Sequence, residues 1–355
     1  MGLSPMPTAE LRDRRRLRRI PRSIVAAIAG AGTIAAWWPA AAQLTGVNIS
    51  GAELGYAVDH PGRIFFDYIY PSDAELDYFR GKGANVIRVP VRWERLQRSV
   101  GGGIDPDELQ RIRLLVDHAA TRGMSIIVDI HNFGVFRGQK IGSAAVPTAA
   151  LAGLWGPLAQ AFAANPRVIF GLMNEPAGVS GPVLRQAVDA ALGAIRRAKA
   201  ENLVLVPGVG WSGAHDFVRR SAGVLDRMHD PADNFAYEVH QYFDFDHSGT
   251  HPDCAVPEAA AGMLKGVAHW LRQRGARGFL GEFGTGRSEN CLASLRTVLA
   301  DLLANRDVWL GWTYWAGGPW WGDYPLTVEP EDGQDRPQMT VLSRFFAKTA
   351  TLGRH

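Results

Sequence analysis

An apolar run that ends in an amide and a carboxylate lies near the middle of the chain, Val168-Ile169-Phe170-Gly171-Leu172-Met173-Asn174-Glu175-Pro176. A second run of this kind follows later, Gly278-Phe279-Leu280-Gly281-Glu282-Phe283-Gly284. A carboxylate at the end of an apolar run places a costly charge at the rim of a core, where it can meet a ligand. Glu175 and Glu282 can therefore face one pocket if both runs are strands of one barrel.

Eight apolar, β-branched runs recur along the chain, and segments with helix signals separate them. Ser72-Asp73-Ala74-Glu75 is a capping box, and Asp105-Pro106-Asp107-Glu108 begins an amphipathic segment. Eight strands that alternate with helices predict a single (β/α)8 TIM barrel over residues 43–355, with a doubly wound open sheet as the alternative. The predicted strands are Gly46–Gly51, Asn85–Val91, Ser125–Ile130, Val168–Met173, Leu203–Pro207, Phe235–Tyr242, Phe279–Phe283 and Trp309–Trp315.

Residues 1–42 have the pattern of an export signal peptide. Seven arginines between Arg12 and Arg22 precede the apolar stretch Ile24–Ala36, and Ala40-Ala41-Ala42 is typical of a cleavage site. The apolar stretch is short for a membrane span, and an uncleaved anchor is the alternative. We therefore expect the mature chain to be secreted or periplasmic, with no membrane partner after cleavage. Sec and twin-arginine export both remain open.

The net charge of the mature chain bears on its partners. Seven arginines against two acidic residues give the first 42 residues a surplus of five positive charges, whereas the whole chain carries +3. The remainder therefore carries about −2, and no basic field indicates a nucleic-acid partner. No linker or repeat indicates an appended module, and we expect a monomer.

The chain has two cysteines, Cys254 and Cys291. In an exported protein such a pair predicts one disulfide, and two free buried thiols are the alternative. Neither cysteine belongs to a motif with zinc-ligand spacing. We expect no metal and no cofactor.

Polar or aromatic side chains lie at the ends of six of the eight predicted strands. In a TIM barrel these ends meet at one face, where active sites form. Alone, His131 would more often be a structural histidine, and Arg88 a surface ion-pair partner. Stability does not require such groups at six strand ends, so together they indicate a functional site. They are Arg88, His131, Asn174 with Glu175, His240 with Tyr242, Glu282 and Trp315.

These motifs, in this order and at this spacing, resemble family 5 of the glycoside hydrolases, of the endo-β-1,4-glucanase kind. The resemblance extends from about Gly46 to Trp321, and the segment from His240 to Cys254 is similar to that of secreted fungal and bacterial cellulases. The resemblance to the subfamily that includes these cellulases also implies a bridge between Cys254 and Cys291. The motifs are Gly46-Val47-Asn48-Ile49-Ser50-Gly51, Ile87-Arg88-Val89-Pro90, Val128-Asp129-Ile130-His131-Asn132, Gly171-Leu172-Met173-Asn174-Glu175-Pro176, His240-Gln241-Tyr242 and Gly281-Glu282-Phe283-Gly284.

The resemblance implies a role for each of these side chains. Glu175 would be the general acid/base, Glu282 the nucleophile, and Asn174 the ligand of the sugar 2-hydroxyl. The others would hold Glu282 (Arg88 and Tyr242), line the cleaved subsite (His131 and His240) or form its floor (Trp315).

Glycoside hydrolysis needs two carboxyl groups in different protonation states. The nucleophile, Glu282, must stay ionised, and Arg88 beside it would favour the charge. Glu175 must carry a proton, so we expect its pKa to be raised. A further aromatic residue, Trp211, follows the fifth predicted strand and is expected to stack on a sugar ring in an outer subsite.

The sequence thus predicts a retaining endo-β-1,4-glucanase that acts on cellulose or related β-glucans. The first alternative is the same mechanism on mannan, mixed-linkage glucan or a bacterial exopolysaccharide, because loops select the substrate. A non-catalytic glycan-binding barrel is a remote alternative, since it predicts loss of a catalytic glutamate and both are present.

Overall fold

The structure is a computed structural model that describes residues 43–57 and 60–352, and it describes the backbone alone for residues 350–352. The predicted export signal, residues 1–42, lies outside the described residues and stays a prediction. Among the described residues, no helix has the length and apolar character needed to cross a membrane.

Eight parallel strands form a closed barrel in the order in which they occur along the chain. Closure is direct, because the first strand pairs with the last through Leu44 and Gly311. This confirms the predicted (β/α)8 barrel and excludes the open sheet, and all eight predicted strands are present. The strands are β1 (Leu44–Ile49), β2 (Val86–Val91), β3 (Ser125–Ile130), β4 (Val168–Gly171), β5 (Val204–Pro207), β6 (Phe235–Tyr242), β7 (Gly278–Gly284) and β8 (Trp309–Gly317).

Long helices follow every strand except β5, which is followed by short helical turns within residues 214–225. The predicted capping box at Ser72 and Glu75 is formed with both of its hydrogen bonds. Asp105 caps the next helix through the amides of Asp107 and Glu108. The long helices are α1 (Asp73–Lys82), α2 (Pro106–Thr121), α3 (Ala150–Phe162), α4 (Gly181–Arg197), α5 (Pro257–Arg274), α6 (Glu289–Ala304) and α7 (Pro337–Leu352).

The interior of the barrel changes from apolar to charged along the strands. One buried apolar side chain from each of β2 to β7 fills the first layer: Val86, Ile127, Ile169, Leu205, Ala236 and Phe279. Successive side chains alternate across a strand, so the residues two positions further on also point inward. On three of these strands they are Arg88, Asp129 and Glu238, all fully or almost fully buried. A charged layer therefore lies directly beneath the strand ends.

One β-bulge shapes this charged layer. The pairing of β6 with β7 passes from Val239 with Leu280 to His240 with Glu282, so Gly281 is an extra residue on β7. A Cβ atom at Gly281 would lie 2.1 Å from Oε1 of Glu238. Only glycine therefore leaves room for the buried carboxylate at this point.

The two cysteines are joined. Cys254, in the loop after β6, forms a disulfide with Cys291 in α6, with a Cα–Cα distance of 5.3 Å. The predicted pairing is present, and the alternative of two free thiols is excluded. The bridge fixes the long loop that leaves the functional end of β6 to the outer helical layer.

Candidate active site

Glu175 and Glu282 converge on one site from opposite parts of the chain. Glu282 lies in β7 and is buried, whereas Glu175 follows β4 and its side chain is 13% exposed. One oxygen of each carboxylate and one ring nitrogen of His240 lie within 4.8 Å of one another. Glu175 has a left-handed backbone conformation, with φ of 41°. Such strain in a non-glycine residue is typical of functional sites, where the surrounding fold enforces it.

The environment of Glu282 favours its ionised form. Arg88 Nη1 donates to Oε1 at 2.8 Å, and the hydroxyl of Tyr242 donates to Oε2 at 2.7 Å. Burial alone would raise the pKa of Glu282. The positive charges of His240 and Arg88 outweigh burial and lower this pKa to about 2. Glu282 is therefore a carboxylate throughout the neutral and mildly acidic range.

The environment of Glu175 favours its protonated form. Burial raises the pKa of this carboxyl, and the negative charge of Glu282 raises it further. The hydrogen bond from His240 acts in the opposite direction and moderates the rise. The two carboxyl groups thus have pKa values shifted in opposite directions, as an acid and a nucleophile require.

His240 contacts a carboxylate at each end of its ring. Nδ1 lies 2.7 Å from Oε1 of Glu175, and Nε2 lies 3.4 Å from Oε1 of Glu238. Burial opposes the imidazolium form, but the charge of Glu282 and the hydrogen bonds with Glu175 and Glu238 raise the pKa of His240 to about 10. His240 therefore carries a positive charge next to the acid/base candidate.

Asn174 and His131 form a second hydrogen-bonded pair in the site. Arg88 Nη2 donates to Oδ1 of Asn174 at 2.8 Å, which orients the amide group. The amide nitrogen then faces Nε2 of His131 at 3.3 Å, and Nδ1 of His131 lies 2.8 Å from Asp129. Burial lowers the pKa of His131, but the bond to Asp129 outweighs it and the pKa is raised.

Aromatic side chains lie beside these polar groups at two depths. Trp315, at the end of β8, is almost buried and stacks on His131 with ring centroids 5.5 Å apart. Trp211, in the loop after β5, is 56% exposed and contacts Phe133 edge to face at 5.8 Å. Phe133 in turn contacts His131. Trp315 can therefore form a floor at the centre, and Trp211 lies further out.

The structure thus brings together all of the predicted site residues except Trp211. Trp211 contacts Phe133, and Phe133 contacts His131. The structure also adds residues that the sequence interpretation gave no role, namely the buried Asn48, Asp129 and Glu238 and the partly buried Phe133. Asn48 Oδ1 accepts from Arg88 at 2.9 Å, and Glu238 accepts from Arg88 Nε at 3.0 Å. Strand periodicity could have indicated two of them, because side chains two positions apart on a strand point to the same face. Asp129 precedes His131 by two positions, and Glu238 precedes His240 by two.

The three groups at the centre could offer ligand atoms to a metal ion, and no other such group occurs among residues 43–57 and 60–352. They are Glu175, His240 and Glu282. A protonated His240 would repel a cation, and its ring nitrogens already face two carboxylates. The arrangement therefore suits proton transfer and nucleophilic attack.

Comparison with known proteins agrees with this geometry. The family model of cellulases, glycosyl hydrolase family 5, matches residues 41–318. Endo-β-1,4-glucanase B of Emericella nidulans is 36% identical over 289 residues, which are 81% of this chain and 86% of that protein.

Solved structures of similar proteins agree with this family assignment. An endo-β-1,4-glucanase from Xanthomonas axonopodis pv. citri matches with a TM-score of 0.84 and 42% identity, covering 86% of this chain and 99% of its own. XacCel5A, solved in complex with cellopentaose, matches with a TM-score of 0.84 and 43% identity over 85% of this chain and 99% of its own. With this fold and this extent of similarity, the chain belongs to family 5 of the glycosyl hydrolases, the cellulase family.

Proposed function

We propose that this chain is a retaining endo-β-1,4-glucanase that hydrolyses internal β-1,4-glucosidic bonds of cellulose or related β-glucans. One observation carries the proposal: two carboxyl groups, with one oxygen of each within 4.8 Å of the other, have pKa values shifted in opposite directions. Inverting enzymes hold their carboxyl groups roughly 6.5–9.5 Å apart to admit a water molecule, whereas retaining enzymes hold them at about 5–5.5 Å. The short approach of Glu175 to Glu282 favours retention.

In the first step an oxygen of Glu282 bonds to the anomeric carbon as the glycosidic bond breaks. Glu175 gives its proton to the departing oxygen and becomes a carboxylate. In the second step Glu175 takes a proton from water, the water oxygen bonds to the anomeric carbon, and Glu282 is released. Both residues end the cycle in their starting protonation states.

The remaining residues serve these two steps. Arg88 and Tyr242 each donate to one oxygen of Glu282, so the nucleophile is held in a fixed orientation. Asn174, oriented by Arg88, has its amide nitrogen directed toward the site, where it can donate to a sugar hydroxyl. Trp315 offers an apolar ring face, which suits stacking against a sugar.

The substrate assignment has its support in the relatives. The Emericella protein is named an endo-β-1,4-glucanase, and XacCel5A was solved with cellopentaose bound. An exposed Trp211 beyond the centre suits a cleft that binds several sugars in a row. Cleavage is therefore expected within a polymer and not at its ends.

Four measurements test the proposal. NMR of the first sugar product should show the β-anomer, and an initial α-anomer would refute retention. The viscosity of carboxymethyl-cellulose should fall much faster than reducing ends appear. Degradation of mannan with no action on cellulose derivatives would transfer the same mechanism to the alternative substrate. Trapping with a fluorosugar should label Glu282, and label on Glu175 would reverse the two roles.

We further propose that the mature protein is a secreted or periplasmic monomer without a membrane anchor. The signal-like residues 1–42 support export, and the Cys254–Cys291 disulfide suits an oxidising compartment. N-terminal sequencing of the exported protein should begin near Gln43. Retention of the full chain in the membrane fraction would favour the uncleaved anchor instead, and sedimentation analysis measures the oligomeric state.

A further inference from the structure

Glu238 is a buried carboxylate that the reaction does not use directly. It lies in the middle of β6, inside the barrel, and only 1% of its surface is exposed. Its Oε1 atom accepts from Nε of Arg88 at 3.0 Å and faces Nε2 of His240 at 3.4 Å. One oxygen atom thus contacts both of the cations that serve the catalytic glutamates.

The hydrogen bonds of Glu238 differ from those of a buried glutamate with a structural role. Glu108 has both oxygens occupied, with Tyr68 and Arg111 donating to Oε1 and Tyr70 donating to Oε2. In Glu238 the second oxygen, Oε2, is buried without a hydrogen-bond partner. A buried polar atom left without a partner costs stability, so Oε2 does not help to stabilise the fold.

The charge of Glu238 is maintained by its neighbours. Burial raises the pKa of this carboxyl, but the charge of Arg88 and the contact with His240 outweigh burial and lower it. The glycine at position 281 leaves space for its Oε1 atom, which a Cβ there would approach to 2.1 Å. The fold thus places the ionised carboxylate of Glu238 inside the barrel, beneath the catalytic glutamates, and Gly281 leaves the space that it needs.

We propose that Glu238 is a positioning residue whose negative charge keeps His240 protonated beneath Glu175 and keeps Arg88 in place on Glu282. The inference rests on the proposed function, because it assigns Glu238 a role in that reaction. Its consequence is that the protonation of the acid/base and the orientation of the nucleophile depend on one carboxylate that never meets the substrate.

The groups that face His240 come from three strands and one loop. Glu238 lies on β6 itself, Glu282 on β7 and Glu175 after β4, and Arg88 on β2 contacts both Glu238 and Glu282. Three carboxyl groups therefore surround one imidazole ring. Glu175 and Glu282 change protonation or bonding during the cycle, so Glu238 is the constant negative partner of the ring.

The test begins with the unmodified protein. NMR of histidine labelled with ¹³C at Cε1 should show one buried imidazole, assigned by its loss in His240→Gln, that stays protonated well above pH 7. This agrees with a His240 pKa of about 10. A neutral His240 at pH 7 would overturn the inference before any variant is made.

Glu238→Gln then removes the charge and keeps an oxygen that can accept from Arg88. We expect the pKa of His240 to fall by about 1–3 pH units, since one adjacent opposite charge is lost. kcat on a soluble β-glucan should fall by about 10-fold to 10²-fold through misplaced catalytic groups, with KM nearly unchanged because Glu238 does not reach substrate. Glu238→Asp, which keeps the charge, should hold the His240 titration nearer to that of the parent.

Glu108→Gln is the matched control, because it alters a buried glutamate remote from the site. It should lower the melting temperature without moving the His240 titration or kcat. If Glu238→Gln lowers only the melting temperature, as the control does, then Glu238 is structural and the inference is refuted. Absence of β-glucanase activity in the parent protein would instead refute the proposed function, while the NMR titration would still report on Glu238.

Discussion

Replacement of Tyr242 by phenylalanine should raise the pKa of the nucleophile without disturbing the packing around it. The Tyr242 hydroxyl donates to Oε2 of Glu282 at 2.7 Å, and only this donor is lost. The ring stays in place because the loop after β6 packs against it, and a Cβ at Gly249 would already lie 2.5 Å from a ring carbon. The variant therefore isolates one hydrogen bond to one ionised carboxylate.

The size of the effect follows from the type of bond. A hydrogen bond to a charged group contributes about 1.5–3 kcal/mol, and about 1.36 kcal/mol corresponds to one pH unit. The pKa of Glu282, lowered to about 2 in the parent protein, should therefore rise by about one to two pH units. The acidic limb of kcat/KM should move upward by the same amount, because catalysis needs ionised Glu282.

The same change should appear in the pH dependence of stability. A carboxyl whose pKa is lowered by folding stabilises the native state above its unfolded pKa, and this stabilisation is lost as the pH falls through the folded pKa. In Tyr242→Phe the folded pKa of Glu282 is higher, so this stabilisation should be smaller at neutral pH and its loss should be complete at a higher pH than in the parent. Urea unfolding at a series of acidic pH values would measure it.

Tyr314→Phe is the control for this prediction. The hydroxyl of Tyr314 is also buried, but it donates to the carbonyl of Thr285 and not to a carboxylate. The control should lose stability at all pH values and keep its acidic limb. The reasoning about Glu282 is refuted if Tyr242→Phe has the acidic limb of the parent, or if Tyr314→Phe moves the limb equally.

Three further outcomes are expected. Glu175→Ala should lower kcat on an ordinary glucan by about 10²–10⁴-fold, and azide should restore turnover of activated aryl glycosides; failure of that rescue would speak against an acid/base role. Cys254→Ser should reduce the free energy of unfolding by up to about 4 kcal/mol, because the disulfide closes a loop with a sequence separation of 37, and an unchanged denaturation midpoint would contradict this. Trp211→Ala should raise KM by roughly 2-fold to 12-fold for long cello-oligosaccharides, from a stacking term of about 0.5–1.5 kcal/mol. An equal effect on cellobiosides would place Trp211 at the centre of the site.

Much of the barrel could be predicted from the sequence because each strand is an apolar run of its own. The ends of the strands follow less closely from the sequence. The fourth run was predicted to reach Met173, whereas β4 ends at Gly171. The backbone nonetheless continues along its neighbours, since the amide of Leu172 donates to Leu205 and that of Asn174 donates to Ile130. Polar side chains at strand ends mark the catalytic face in the same local way.

The charged layer beneath that face could not be predicted in the same way. The contact between Arg88 and Glu238 spans 150 positions of the chain and exists only because the barrel closes. Alone, Glu238 is one acidic residue within an apolar run, and no local pattern shows that two cations will face it. The short helical turns after β5 were missed for a simpler reason, since that segment has no sustained helical periodicity.

The position of Glu282 depends on one residue that carries no functional group. If β7 paired regularly with β6 beyond Leu280, Gly281 would lie opposite His240 and Glu282 would lie opposite Gln241. A one-residue shift turns every following side chain to the other face of a strand. The bulge thus aims the nucleophile into the barrel and makes room for Glu238, and its carbonyl is held by Asn48 at 2.9 Å. Catalytic geometry here follows from the backbone of the strand as much as from the side chains that act on it.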